Sequence, residues 1–388
     1  MRKLIYILIF FISFSHLNAQ ILSPKAKVSV ITCGPGSELF TAFGHSAFRV
    51  TDPFLGLDKI YNYGTFNFNA PNFYLNFAKG KLTYQLSTTS FNRFLRVYQY
   101  ENRWVKSQEL NLSDTEVQKV FNFLENNAKP ENKDYQYDFF YDNCSTKIED
   151  VINSVIKNKI QFSNSHILSS KTHRDLISDY TTDFKWGKFG IDLALGSVID
   201  NKASKDDYKF LPDYIYKAFD NATIETENKT YSLVKNRVTI LDSTRTFNSS
   251  FLSQPLFAIS IIAFLILYVS YRNFKQNKRS KWLDFTLYFS TGLIGIVVLL
   301  LWFATSHTAT YRNFNFLWAF APNLIVAFYL LKSKIPSWIL RYNLVLLSLF
   351  GIMMLLWVFK LQIFNIALLP LILAIALRYL FIIYRKIN

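Results

Sequence analysis

The residue best placed to do chemistry is a cysteine at the start of a helix. In Tyr141-Asp-Asn-Cys-Ser-Thr-Lys-Ile148, Asn143 is a good N-cap, and Ile148, Val151, Ile152, Val155 and Ile156 recur at the spacing of one buried helical stripe. Counting back four from Ile148 sets Cys144 in the first turn, on the inward side. There the helix dipole and free backbone N–H groups favour a thiolate and lower its pKa below about 8.5. Those are the conditions for a nucleophile.

A thiol nucleophile needs a base and something to orient it. Gly34-Pro-Gly36 reads as a turn, Glu38 to Phe43 as a short helical turn, and Gly44-His-Ser-Ala-Phe-Arg-Val50 as the entry to a strand in which His45, Ala47 and Arg49 share a face. The next strand, Ile60-Tyr-Asn-Tyr-Gly64, carries Asn62 on one face and Tyr61 and Tyr63 on the other. An asparagine side chain can accept the second imidazole N–H and fix the tautomer, so Cys144, His45 and Asn62 are the candidate catalytic set. A plainer reading stands beside it. A histidine after a glycine is commonly a hydrogen-bonded structural residue. Cys33 and Cys144 are the only cysteines, an even count that in an exported domain also fits a disulfide and a non-enzymatic receptor or scaffold. Against the disulfide, Cys33 ends an apolar strand, where a free thiol packs as a small hydrophobe.

The elements that would position these groups read as one mixed α/β domain over residues 20–250. Strands are expected at Val28 to Thr32, His45 to Thr51, Lys59 to Tyr63, Leu82 to Thr88 and Trp104 to Leu110, with helices around Pro71 to Ala78 and Phe91 to Tyr98. Ser113-Asp-Thr-Glu116 is a capping box opening a helix with Val117, Val120, Phe121 and Leu124 on one side, and Lys129-Pro130 ends it. After the Cys144 helix, short helices are expected at Thr172 to Tyr180, Trp186 to Leu195 and Pro212 to Phe219. A last strand and linker follow at Tyr231 to Arg245.

The chain is 51% hydrophobic and 18% aromatic, and the apolar excess sits at its two ends. Residues 4–14 follow Arg2 and Lys3 and lead to Ala19, the pattern of a signal peptide over 1–19; the alternative is an uncleaved anchor. From 251 onward, five apolar runs at roughly 255–271, 283–304, 316–331, 338–359 and 361–384 approach the length that crosses a bilayer. The net charge of +16 is not spread evenly. Residues 20–250 hold 28 basic against 26 acidic side chains, whereas 251–388 hold 13 against one. Basic residues confined to loops between apolar runs are a topology signal, which argues against a nucleic-acid partner. Arg272 to Lys281, Lys332 to Arg341 and Arg385-Lys386 belong in the cytoplasm by this rule, and residues 20–250 outside it.

Gly36-Ser-Glu-Leu-Phe-Thr-Ala-Phe-Gly-His-Ser-Ala-Phe-Arg-Val50, the Tyr61-Asn-Tyr-Gly64 strand and Tyr141 to Ile148 resemble the extracytoplasmic domain of the Lnb-type lipoprotein intramolecular transacylases. The spans that follow are similar too, so the resemblance covers most of the chain. That family resembles circularly permuted papain-like thiol enzymes, in which histidine precedes cysteine, as His45 precedes Cys144. The resemblance implies an α+β papain-like, circularly permuted extracytoplasmic domain followed by an all-α membrane domain of five helices, in the cytoplasmic membrane. It implies that an ester-linked acyl chain of a lipoprotein's diacylglyceryl-cysteine moves to that cysteine's α-amino group through a thioester. The partners are then diacylglyceryl lipoproteins and the membrane lipid bilayer, and the reaction requires neither metal nor cofactor. Asn143, Arg49, Tyr63, Glu38 and His307, the last in the external loop 306–315, are the candidates for holding the oxyanion or the substrate; a simple polar connection is the other reading of that loop. The same catalytic group would also serve a membrane-tethered thiol hydrolase of cell-wall peptides.

Overall fold

Short apolar runs buried on both faces along the early segments decide the main sheet. The computed structural model describes residues 20–387 apart from 158, 228, 245–251 and 253, so the expected signal peptide and Arg245, the last residue of the expected linker, lie outside the described residues. β1 (Lys27–Cys33) turns Val28 and Val30 to one face and Ile31 and Cys33 to the other, all of them buried. A strand apolar on both faces belongs in the middle of a sheet. β1 is flanked by β2 (His45–Asp52) and β5 (Val105–Leu110). β3 (Leu57–Thr65), β4 (Thr83–Ser90) and β6 (Asp134–Gln136) continue the sheet beyond β2, and β10 (Val234–Leu241) closes the other edge. The order is β10-β5-β1-β2-β3-β4-β6, antiparallel at every pair. β7 (Ile160–Gln161), β8 (Thr223–Thr226) and β9 (Lys229–Ser232) form a second, three-stranded sheet.

Helices cover both faces, which makes the unit α+β. α1 (Phe73–Ala78) lies in the β3–β4 connection, and α2 (Phe91–Tyr100) packs Phe91, Phe94 and Tyr98 on the face carrying Ile31, Cys33, Ala47 and Ile60. α3 (Asp114–Asn127), opened by the Ser113/Glu116 capping box, and α4 (Thr146–Ile156) pack on the face carrying Val30, Phe48, Tyr61 and Tyr63. α5 (His173–Tyr180), α6 (Lys185–Ala194) and α7 (Pro212–Asp220) follow. Each expected helix and strand of this unit is present; the short strands β6 to β8 have no apolar alternation long enough to announce them.

The C-terminal region is helical, but it departs from five continuous helices. Among the described residues, α8 (Pro255–Lys275), α9 (Lys281–Phe303), α11 (Trp338–Val358) and α12 (Leu368–Ile387) are the four helices long and apolar enough to cross a membrane. The third apolar run is broken into a 3-10 turn at Phe314–Leu317 and the eight-residue α10 (Asn323–Leu330). Eight helical residues reach about 12 Å, short of the roughly 30 Å of bilayer core. Pro322 has no N–H to continue a helix, and asparagines on either side offer the backbone other partners. Irregular backbone at such depth must be satisfied by protein. Phe314 N–H donates to Gln362 Oε1 at 2.8 Å, Ala319 N–H to Asn315 O at 3.0 Å and Asn323 N–H to Phe320 O at 2.9 Å, and side-chain bonds stitch the segment to its neighbours, Asn323 Nδ2 to Thr291 Oγ1 at 2.9 Å and Tyr342 Oη to Asn323 Oδ1 at 2.5 Å. Gly292 and Gly295 of α9 let this backbone come close, since a Cβ on Gly295 would lie 1.9 Å from Ala319 O. At the far end Arg279 Nη2 donates to Lys332 O at 2.8 Å, so the broken segment still runs the length of α9. Asp284, the one acid of residues 251–388, is buried there between Arg378 (2.7 Å) and Arg279 (3.0 Å).

The loops at the near end grip the N-terminal unit. Asn313 Nδ2 donates to Leu193 O (2.8 Å) and Ala194 O (3.0 Å), and Asn365 Nδ2 donates to Asp192 Oδ2 (2.8 Å). Asp192 is itself held by the buried Arg174 and by Lys188. Gly196 N–H donates to Ala309 O at 2.9 Å, and a Cβ there would lie 1.9 Å from Tyr311 O. The loop over 306–315 is therefore a docking surface between the two parts of the chain.

Candidate active site

Asn143 sets the start of α4. Its Oδ1 accepts from the N–H groups of Ser145 (2.7 Å) and Thr146 (3.0 Å), its C=O accepts from Lys147 N–H, and its own N–H donates to Thr146 Oγ1 (2.9 Å). That reciprocal pattern makes Asn143 the N-cap and Cys144 the first residue inside the helix, although the regular helix begins at Thr146. Ile148, Val151, Ile152 and Ile156 are buried as the periodicity required. The cap consumes the Ser145 and Thr146 donors of the first turn. Among the described residues, the Cys144 N–H has no hydrogen-bond partner within the chain.

Cys144 then lies over the ends of two strands. β3 and β4 slip register between Asn62 and Thr65, and Gly64 within that bulge has φ +82°. A Cβ on Gly64 would sit 3.4 Å from Cys144 Cβ, in ordinary contact, so the glycine serves its backbone angle while Cys144 packs directly against it. Ser46 of β2 and Ser145 lie beside the Cys144 sulfur with their hydroxyls 3.5 Å apart, and the Ser46 N–H and the Ser145 hydroxyl both favour its thiolate. His45, which opens β2, lies beside the same sulfur, and its charge is the strongest influence favouring the thiolate.

The imidazole is oriented from behind. Asn62 Oδ1 lies 2.5 Å from His45 Nε2. A carboxamide oxygen only accepts, so Nε2 carries the hydrogen and Nδ1 faces the thiol. Burial pushes the Cys144 pKa up, but the charge of His45, its hydrogen bond, the Ser46 N–H and the Ser145 hydroxyl outweigh it, and the net shift is downward. For His45, burial pushes the pKa down. The Cys144 charge, the bond to it and the bond to Asn62 outweigh burial and the opposing Arg103, and the net shift is upward. Opposite shifts in a touching pair are the mark of a thiolate and an imidazolium stabilising each other. Both residues remain partly open to solvent.

Cys33 plays no part in this exchange. Both cysteines are free, and Cys33 is buried opposite His45 in the β1–β2 register. Burial outweighs its hydrogen bond with Tyr98 and pushes its thiol up to about 12, where it stays protonated and inert. The structure holds no Cys33 to Cys144 bridge.

The other residues singled out in the sequence are committed elsewhere. Arg49 forks onto Asp58 at 2.7 and 2.8 Å with its guanidinium 3.5 Å over the Phe91 ring. Tyr63 faces the opposite side of the sheet and donates to Asn127 Oδ1 at 2.6 Å. Glu38 is exposed and caps the 3-10 turn Leu39–Thr41. Asn143 spends both amide hydrogens on Phe139 O (2.7 Å) and Phe210 O (2.8 Å), so its side chain cannot also hold an oxyanion. His307 bonds Phe77 O at 3.1 Å, in the interface between the two parts of the chain. Sequence reasoning missed Ser46 and Ser145, although both adjoin chosen residues, and it missed Arg103. Arg103 is buried, donates to Gly34 O (2.8 Å) and Glu101 (2.8 Å), and lies over the Tyr98 ring. It stands 41 residues before Cys144 in a turn, and no spacing links the two. Among the described residues no group of three or more His, Cys, Asp or Glu side chains could hold a metal ion.

Comparison with known families meets this geometry from another direction. The model of the Lnb N-terminal periplasmic domain matches residues 13–179, and that of the Lnb transmembrane domain matches residues 246–388. The chain belongs to the Lnb family. The first match contains Cys144, His45 and Asn62, and the second contains all four candidate spans. This Lnb chain is a membrane protein with an extracytoplasmic N-terminal domain. No curated protein and no solved structure matches it.

Proposed function

We propose that this Lnb protein is a thiol acyltransferase of lipoprotein maturation, which moves an ester-linked acyl chain of a diacylglyceryl-cysteine to the α-amino group of the same cysteine. The observation that carries the proposal is the imidazole of His45 held between Asn62 and Cys144, with the thiol and imidazole pKa values displaced in opposite directions. The Cys144 thiolate attacks the ester carbonyl, and the His45 imidazolium gives its proton to the departing glycerol oxygen. A thioester remains on Cys144. The α-amine then attacks it, neutral His45 takes the amine proton, and the thiolate leaves as the amide forms. The unpartnered Cys144 N–H, at the positive end of α4, is aimed to hold the oxyanion of both tetrahedral intermediates. Donor ester and acceptor amine lie in one bound molecule, whose effective concentration reaches the order of 10⁵ M in favourable cases. Water loses that competition.

A lipid ester resides at the membrane surface, which accounts for a thiol domain joined to spans. The basic loops at the far end of the bundle belong in the cytoplasm together with the C-terminus, and the papain-like, circularly permuted relationship accords with His45 preceding Cys144. Mass spectrometry of lipoproteins from cells that rely on this protein tests the reading. The product should carry one acyl chain on nitrogen and one on glycerol, and His45→Ala should leave the amine free with both esters intact. Three acyl chains would indicate a separate phospholipid donor. Released fatty acid would indicate hydrolysis, and altered wall peptides with unchanged lipoproteins would indicate a wall hydrolase.

A further inference from the structure

The segment over 66–81 exposes apolar side chains where a soluble surface would not. Phe68 is 66% exposed, Tyr74 80%, Leu75 51% and Phe77 54%. Beneath them Phe66 packs on Phe73 and Tyr84, with ring centroids 5.7 and 5.3 Å away. Tyr84 stacks on Tyr137 at 4.1 Å, seven residues before Cys144. An aromatic chain thus joins the exposed patch to the turn that carries the nucleophile. The segment holds Lys79 and Lys81, several asparagines and no acid.

Its place in the molecule says what covers it. Ser306 N–H donates to Lys79 O at 2.8 Å, the His307 ring bonds Phe77 O at 3.1 Å, and Thr308 Oγ1 donates to Asp138 Oδ2 at 2.7 Å. These residues directly follow α9, whose last turns expose Leu300 (53%) and Phe303 (72%) along the bundle's outer surface. Phe303 and Ser306 are three residues apart, a reach of about 10 Å at most. The patch therefore continues the lipid-facing surface of a span. Aromatic and aliphatic side chains beside lysines at the end of a span are the composition of the membrane interface.

We infer that residues 66–81 are an interfacial element, with Phe68, Tyr74, Leu75 and Phe77 seated in the extracytoplasmic leaflet and Lys79 and Lys81 at the level of the lipid phosphates. The row Phe66, Tyr84 and Tyr137 then lines the path from that leaflet to Cys144. Only this last step rests on the acyl-transfer reading; the seating stands without it.

The test uses the full chain in nanodiscs of phosphatidylethanolamine and phosphatidylglycerol, with the photoreactive residue p-benzoylphenylalanine placed at Tyr74, Phe77 or the control Phe54. Phe54 is 75% exposed in the β2–β3 turn. Lipid adducts at positions 74 and 77 should exceed those at 54 by about tenfold or more. Adducts equal to the control, or crosslinks to a second copy of the chain in place of lipid, overturn the inference. In the triple variant Phe68→Ser, Tyr74→Ser, Phe77→Ser, iodoacetamide should still label Cys144 at the wild-type rate. Transfer on membrane-embedded lipoprotein should fall about tenfold, and transfer at the wild-type rate would contradict the path. Lipid adducts at 74 and 77 on a protein that transfers no acyl group uphold the seating and overturn only the acyl-transfer reading.

Discussion

Replacing Asn62 with Ala isolates the orienting contact from the two reacting groups. The substitution removes the acceptor 2.5 Å from His45 Nε2, and with it one of the three contributions that raise the imidazole pKa. A hydrogen bond to a charged group contributes about 1.5–3 kcal/mol to the charged form. His45 is partly open to solvent, so the lower part of that range applies. About 1.5–2 kcal/mol is roughly a tenfold to thirtyfold loss in the second-order rate constant. The sign of the pH effect follows. Less support for the imidazolium lowers the His45 pKa, a weaker positive partner raises that of Cys144, and the thiolate fraction at neutral pH falls. Iodoacetamide alkylation of Cys144 across pH reads this directly, with the midpoint moving upward in Asn62→Ala. Asn62→Asp should hold the midpoint at or below wild type, because a carboxylate favours the imidazolium more than a carboxamide does. An unshifted midpoint in a folded Asn62→Ala protein would refute the orienting role.

Removing His45 goes further: in His45→Ala, burial acts on Cys144 with its main counter-charge gone, so the alkylation midpoint should rise above the ordinary thiol range and acyl transfer should drop by about 10²-fold or more. Cys33→Ser should leave transfer and the alkylation profile near wild type, measured side by side, since that thiol is buried and protonated. Gly64→Ala should destabilise the protein by about 1 kcal/mol or more and slow transfer, because φ +82° is strained for a side chain and Cys144 packs directly against that backbone; thermal unfolding and single-turnover rates check both. Reporter fusions at Asn277 and Lys334 should read cytoplasmic, and one at Thr310 external, with the reverse pattern contradicting the topology.

The geometry of the candidate site was legible where local rules act. Asn143, Cys144 and Ile148 announce a capped helix with its thiol at the first turn, and two-residue alternation fixes His45 and Asn62 on a common face of adjacent strands. The residues assigned to substrate binding have their polar atoms committed to other partners, because exposure and partnership are tertiary. Nothing within β2 says that Arg49 will meet Asp58 and Phe91, nor within β3 that Tyr63 will find Asn127. Asn143 shows the same limit at one residue: the sequence marks it as a cap, yet its amide hydrogens are spent on Phe139 and Phe210, the latter 67 residues away. In the third apolar run, hydropathy registers the depth of the segment but not its backbone, and Pro322 with its neighbouring asparagines converts a continuous helix into a broken one stitched to Thr291 and Tyr342.

The central claim is a thioester on Cys144, and intact-mass analysis of the full chain in nanodiscs tests it most directly. The substrate is a diacylated lipopeptide whose α-amine is acetylated, so that an acyl group can reach the enzyme but has no amine to leave for. The account predicts one added acyl mass, mapped by proteolysis to the peptide containing Cys144, discharged by hydroxylamine and absent in Cys144→Ala. No adduct on Cys144 from an enzyme that still acylates the free-amine lipopeptide, or transfer that survives Cys144→Ala, would contradict it.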